Sequence, residues 1–168
     1  MRAGTCAWVV RCVAIVGLLG LDACAMVGVS HVKTNDYVNQ RRADVIGSNR
    51  LSDRTVQSLN VVALAVDSCQ RKFAGCTDTV ARSAGLTDEQ RLSALAELWL
   101  GRALKADRSQ RGVAMDDATL DAFLQSARYA YAYLFHTARS PAERAFELRQ
   151  VQVTGFYNLA VHQVMSRL

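Results

Sequence analysis

Proline occurs once in this chain of 168 residues, at Pro141, and that scarcity constrains the fold more than any other feature. A backbone with almost no breakers, in which apolar residues recur three and four apart, is expected to be helical. No alternation of Val, Ile, Thr and aromatic residues lasts beyond four or five positions, which argues against strands. The expected fold class is all-α: an irregular bundle or array of amphipathic helices after an N-terminal signal peptide.

The signal is read from Met1 to Cys24. Arg2 and Arg11 precede the apolar run Cys12-Val13-Ala14-Ile15-Val16-Gly17-Leu18-Leu19-Gly20-Leu21, and Leu21-Asp22-Ala23-Cys24 follows. A basic start, a short apolar core, a small residue and a cysteine make up an export signal. The core is too short to span a bilayer, which takes roughly 20 apolar residues. The ending resembles a bacterial lipobox, with Leu21 at its first position, Ala23 as the small residue and Cys24 as the residue to be lipidated. Asp22 is an unusual occupant of its position. A lipoprotein is the first reading, a simple secreted protein the second and an uncleaved anchor the third. The expected organisation is a signal over 1–23, a tether over 24–36 and a helical domain over 37–168.

The cysteines agree with export. Of the five, Cys6 and Cys12 leave with the signal and Cys24 carries lipid, so Cys69 and Cys76 remain as an even pair. In an oxidising compartment such a pair is expected to form a disulfide. By loop closure it would stabilise the fold by roughly 2–3 kcal/mol. Two free thiols in apolar surroundings are the alternative. No second cysteine pair or nearby histidine completes a metal-ligand set, and no cofactor is indicated.

Net charge is +5 over the whole chain; Arg2, Arg11 and Asp22 contribute +1, so the part from Cys24 onward carries +4. Its basic residues alternate with acids: Arg41-Arg42 precedes Asp44, and Arg144 and Arg149 lie near Glu143 and Glu147. This is a solvated helix surface and not a nucleic-acid footprint. Attraction to anionic lipid headgroups would be a minor aid to the acyl anchor.

Local signals divide the domain. Tyr37–Ile46 reads as a short helix stopped by Gly47 and Asn49. Ser52 caps a helix carrying Val56, Leu59, Val62 and Val66 on one face and ending near Asp67. A brief helical turn is expected over Thr77–Ser83, stopped by Gly85. Thr87-Asp88-Glu89-Gln90 is a capping box, and the helix it opens runs to about Lys105 with Leu92, Leu95, Trp99 and Ala103 on one face. Asp107–Gly112 reads as a loop. Asp116 or Asp117 caps a helix with Leu120, Leu124, Ala127, Tyr131 and Leu134 on its apolar face, ending near His136. Ser140-Pro141-Ala142-Glu143 is the strongest start signal of the chain. The last helix then runs towards Leu168, with Phe146, Val153, Phe156, Ala160, Val164 and Leu168 facing one way and Gly155 suited to close packing. The chain stops inside this helix, which fits a protein that once continued. No self-similarity at a fixed period supports a helical repeat.

No nucleophile elbow, phosphate loop, zinc-binding histidine pair or dinucleotide fingerprint is present. His31 lies in the tether, His136 at a helix C-terminus where a cation suits the dipole, and His162 on the last helix. Glu89, Glu97, Asp116, Asp117, Glu143 and Glu147 read as capping or helix-surface residues. Tyr129 and Tyr133 share a face while Tyr131 points elsewhere, and core or partner-facing packing explains all three. Trp99 reads as core.

Several segments resemble the start of the mature part of certain proteobacterial α/β-hydrolase-like lipoproteins: Asp36-Tyr37-Val38-Asn39-Gln40-Arg41-Arg42-Ala43-Asp44-Val45, Arg50-Leu51-Ser52, Ala96-Glu97-Leu98-Trp99-Leu100, Tyr131-Ala132-Tyr133-Leu134-Phe135, Pro141-Ala142-Glu143-Arg144-Ala145-Phe146-Glu147, Gln150-Val151-Gln152-Val153 and Tyr157-Asn158. In those proteins a helical region precedes the hydrolase domain. The resemblance therefore implies the helical part alone, with no position matching the hydrolase serine, acid or histidine.

The function expected from the sequence is an envelope lipoprotein facing the periplasm, with a helical accessory or interaction domain and no catalytic site of its own. Ala25 after Cys24 suits the outer membrane more than the inner. Its partners would be the membrane, through the N-terminal lipid, and a protein docking on the helical surface; nucleic acid is not expected. One alternative is the truncated N-terminal part of an esterase- or lipase-class lipoprotein. A further alternative is a helical scaffold for peptide or lipid.

Overall fold

Three of the six helices begin where the sequence supplies a side-chain partner for the free N–H groups of a first turn. In a computed structural model, residues 44–110 and 114–167 are described, and they contain six helices and no strand. The helices are α1 (Asp53–Val61), α2 (Val66–Arg71), α3 (Phe73–Arg82), α4 (Asp88–Ser109), α5 (Asp117–Phe135) and α6 (Leu148–Met165). The signal, the tether with Cys24 and His31, and most of the expected Tyr37–Ile46 helix lie outside the described residues, as does Leu168.

Three caps form as expected. Ser52 Oγ accepts from Thr55 N–H, and Asp116, not Asp117, accepts from Thr119 N–H at 2.7 Å. Thr87 and Gln90 complete both halves of the capping box, at 2.9 and 3.2 Å. Asp44 opens the described chain with a tight turn, its carboxylate accepting from the N–H groups of Ile46 and Gly47.

Helix α4 is the centre of the array. It packs along α5, α5 packs along α6, and α4 also touches α1, α3 and α6. Ala96, Leu100 and Ala103 face a core shared with Phe123, Ala130, Tyr133, Val153, Phe156 and Ala160. Ala94, Leu95 and Leu98 face a second core with Leu59, Cys69, Cys76, Val80 and Leu86. Burial on two sides explains why Ser93–Leu98 are all buried, where the sequence suggested a single face. At Gly101 a Cβ would stand 3.2 Å from Val45 Cγ1. The tight approach is there and not at Gly155, where a Cβ would make an ordinary 3.7 Å contact with Ile46.

Other expectations are corrected as well. The helix after Ser52 stops at Val61, not Asp67. Ala63 takes a φ of 55°, and Ala63 and Leu64 N–H bond back to Asn60 and Leu59 carbonyls at 3.0 and 2.9 Å. This left-handed C-terminal closure redirects the chain into α2. The region after it is more helical than expected, since α3 begins at Phe73 rather than Thr77, and α4 runs through Ser109, into the expected loop.

The buried face of α5 is Ala122, Phe123, Ser126, Ala130 and Tyr133, with Leu134 beside them; Leu124 and Tyr131 are exposed. Small residues let α5 approach α4 closely, and Ser126 Oγ donates to the Ala96 carbonyl at 2.9 Å.

The start signal at Ser140 makes its cap, with Ser140 N–H on Glu143 at 2.5 Å, yet opens only a turn. The N–H groups of Arg144 and Ala145 reach back three residues to Pro141 and Ala142, and α6 begins at Leu148. Phe146 is left fully exposed, contrary to its place in the expected apolar stripe. Val153, Phe156 and Ala160 are fully buried as expected. Helix α6 closes at Met165, with Ser166 N–H on the His162 carbonyl.

Candidate functional site

Glu97 has no accessible surface, although the sequence placed it on a helix surface. Its carboxylate accepts from Ser52 N–H (2.8 Å), Ser52 Oγ (2.6 Å), Thr55 Oγ1 (2.6 Å) and Arg149 Nη1 (2.9 Å). Arg149 Nη2 also donates to Thr55 Oγ1 at 2.7 Å. The start of α1, the middle of α4 and the start of α6 are thus tied together by one buried carboxylate. A charged residue inside the apolar run Ser93–Leu100 was the sequence signal for it.

A second cluster surrounds the end of α5. Arg144 is fully buried; its Nη2 donates to the Tyr133 carbonyl at 2.9 Å, and its guanidinium lies 4.3 Å from the centre of the Tyr133 ring. It supplies the cation that the last carbonyls of a helix favour, a role expected of His136, which is exposed. That pinned guanidinium also explains why the segment 141–146 stays a turn. Arg139 pairs with Glu89 and with Glu147, and the Glu147 contact is 2.6 Å. The Glu89 carboxyl is held below its ordinary value, chiefly by the Arg139 hydrogen bond. Arg139 is raised, first by Glu89 and then by Glu147. Burial pushes the Tyr133 phenol up.

A polar cleft of about 900 Å³ lies against these clusters, lined by Asp53, Arg54, Glu89, Arg139, Glu147 and Arg149 among others. Its cations and carboxylates are balanced. A second groove, of about 650 Å³, runs along the C-terminal half of α4 between α2–α3 and the start of α5. Leu51, Val66, Phe73 and Leu98 give it apolar walls, and Arg102, Lys105 and Arg108 stand on α4 at its rim.

Cys69 and Cys76 are joined as a disulfide, with Cα atoms 5.0 Å apart. The bridge links α2 to α3, not the two ends of an irregular loop. Trp99 is half-buried and meets Phe73 edge-on at 4.8 Å. Tyr133 is buried, Tyr129 half-buried and Tyr131 exposed beside Phe135. His162 is exposed in the last turn of α6. Among the described residues no cluster of three His, Cys, Asp or Glu side chains is arranged to hold a metal ion. No helix of the described residues is long and apolar enough to cross a membrane. No protein-family model, curated protein or solved structure matches the chain.

Proposed function

We propose that the chain is an envelope lipoprotein whose helical domain is an accessory or interaction module. In this reading the first 23 residues direct export, Cys24 carries the lipid, and the domain faces the periplasm, from the outer membrane more than the inner. The observation that supports it is the Cys69–Cys76 disulfide, since such bonds persist in oxidising compartments and are rare in the cytosol. The buried chemistry supports a non-catalytic role. Glu97 is committed to Ser52, Thr55 and Arg149, contacts that tie three helices together, and it has no accessible surface to meet a substrate.

The test is fatty-acid labelling of growing cells. Label on the wild-type chain and none on Cys24→Ser is the expected outcome. Label that persists in Cys24→Ser, or a wild-type chain recovered from soluble extract with an unmodified Met1, overturns the proposal.

A further inference from the structure

We propose that the groove along α4 binds a single-chain amphiphile with an anionic head, of the fatty-acid class. Its volume, about 650 Å³, lies within the range of small-molecule sites. From Leu98 to Lys105 the groove changes from apolar to cationic over about 10 Å of helix. Val66, Phe73 and Leu98 provide the surface for an alkyl tail, which gains with every methylene removed from water.

Charge selects the head. Arg102, Lys105 and Arg108 take no part in the ion pairs among the described residues, and neither do Arg54, Arg71 or Arg128; what distinguishes the three is that they stand together on one helix along one groove. Arg102 is held over the Phe73 ring at 4.7 Å, and Arg108 donates to Asn49. Lys105 is exposed. Asp116 also lines the groove; it accepts from Thr119 and Gln110 and keeps its negative charge, so the three cations leave the groove an excess of two positive charges. A carboxylate at this end supplies the counterion that these cations lack among the described residues. The balanced cleft beside Arg139 has no such demand. The inference goes beyond the anchoring proposal and stands without it, because a groove ligand and a lipid on Cys24 are read on different peptides.

The experiment uses the full chain in phosphatidylcholine discs, exposed to palmitate carrying a photoreactive diazirine, with labelled peptides mapped by mass spectrometry. Label is expected on the peptides containing Val66, Phe73 and Leu98. Ala118→Trp, which fills the exposed rim, is expected to abolish it. Lys105→Glu should lower it roughly fivefold, as reversal of an exposed charge contact would. Circular dichroism melting identifies any variant that fails to fold, and Ala118→Leu then replaces Ala118→Trp. Arg82→Glu, on α3 and away from the groove, should keep full labelling. Equal labelling by a diazirine hexadecanol, labelling undiminished by the blocking variant, an equal fall in Arg82→Glu, or displacement by an acidic peptide alone overturns the proposal.

Discussion

Arg149 Nη1 stands 2.9 Å from Glu97 Oε2, although the two are 52 positions apart in the chain. Glu97 is fully buried and the Arg149 side chain is 10% exposed. Removing one partner leaves the other charge in the interior, which costs about 3–5 kcal/mol. Glu97→Ala and Arg149→Met should each lose about that much in urea unfolding. The double variant Glu97→Met/Arg149→Met should lose less than the two singles together. Additive losses would show that the two side chains act separately.

Reducing the disulfide should cost the fold about 2–3 kcal/mol, because the loop between Cys69 and Cys76 is short. The reading is a lower urea midpoint for the wild-type chain with dithiothreitol. Cys69→Ala/Cys76→Ala should match the reduced wild type and ignore the reductant. Identical midpoints with and without reductant would mean that the bridge constrains nothing.

Ala63 holds a left-handed backbone at the end of α1, with a φ of 55°. A Cβ there is unfavourable by roughly 1–2 kcal/mol. Ala63→Gly should therefore raise stability by about 1 kcal/mol, although glycine elsewhere in the helix would lower it. A drop in melting temperature would contradict this geometry.

Gly155 lies inside α6, and an added Cβ would make only an ordinary contact with Ile46. Gly155→Ala should stabilise by up to about 1 kcal/mol through helix propensity. Gly101→Ala should gain less, because its Cβ would press on Val45 at 3.2 Å. Thermal melts of the two variants, compared directly, check the order.

Stability should fall at both ends of the pH scale for two different residues. Glu89 has a lowered folded value, so its contribution is whole above its ordinary 4.5 and is lost as pH falls through the folded value. Tyr133 has a raised one, so its contribution is whole below 10.0 and is lost as pH climbs through the folded value. Glu89→Gln should flatten the acid limb of a stability–pH curve, and Tyr133→Phe the alkaline limb. Unchanged limbs would remove these residues from the pH response.

The residues that the sequence misplaced share a property. Glu97 and Arg149 look like ordinary helix-surface charges until α1, α4 and α6 are brought together. Ala122, Ser126 and Ala130 form the packing face of α5 because α4 approaches closely, and hydrophobicity alone points instead to Leu124 and Tyr131. Arg144 turns a strong helix-start signal into a turn because its guanidinium is engaged at the end of α5.

By itself the sequence pointed to the all-helical class, to caps at Ser52, Thr87 and one of Asp116 or Asp117, and to the pairing of Cys69 with Cys76. In each case both partners lie within a few residues, so chain connectivity alone brings them within bonding range. Only the tertiary structure decided which face of α5 is buried and which charges go inside. Those outcomes depend on partners tens of residues apart, and burial is a property of the assembled helices that no local pattern carries.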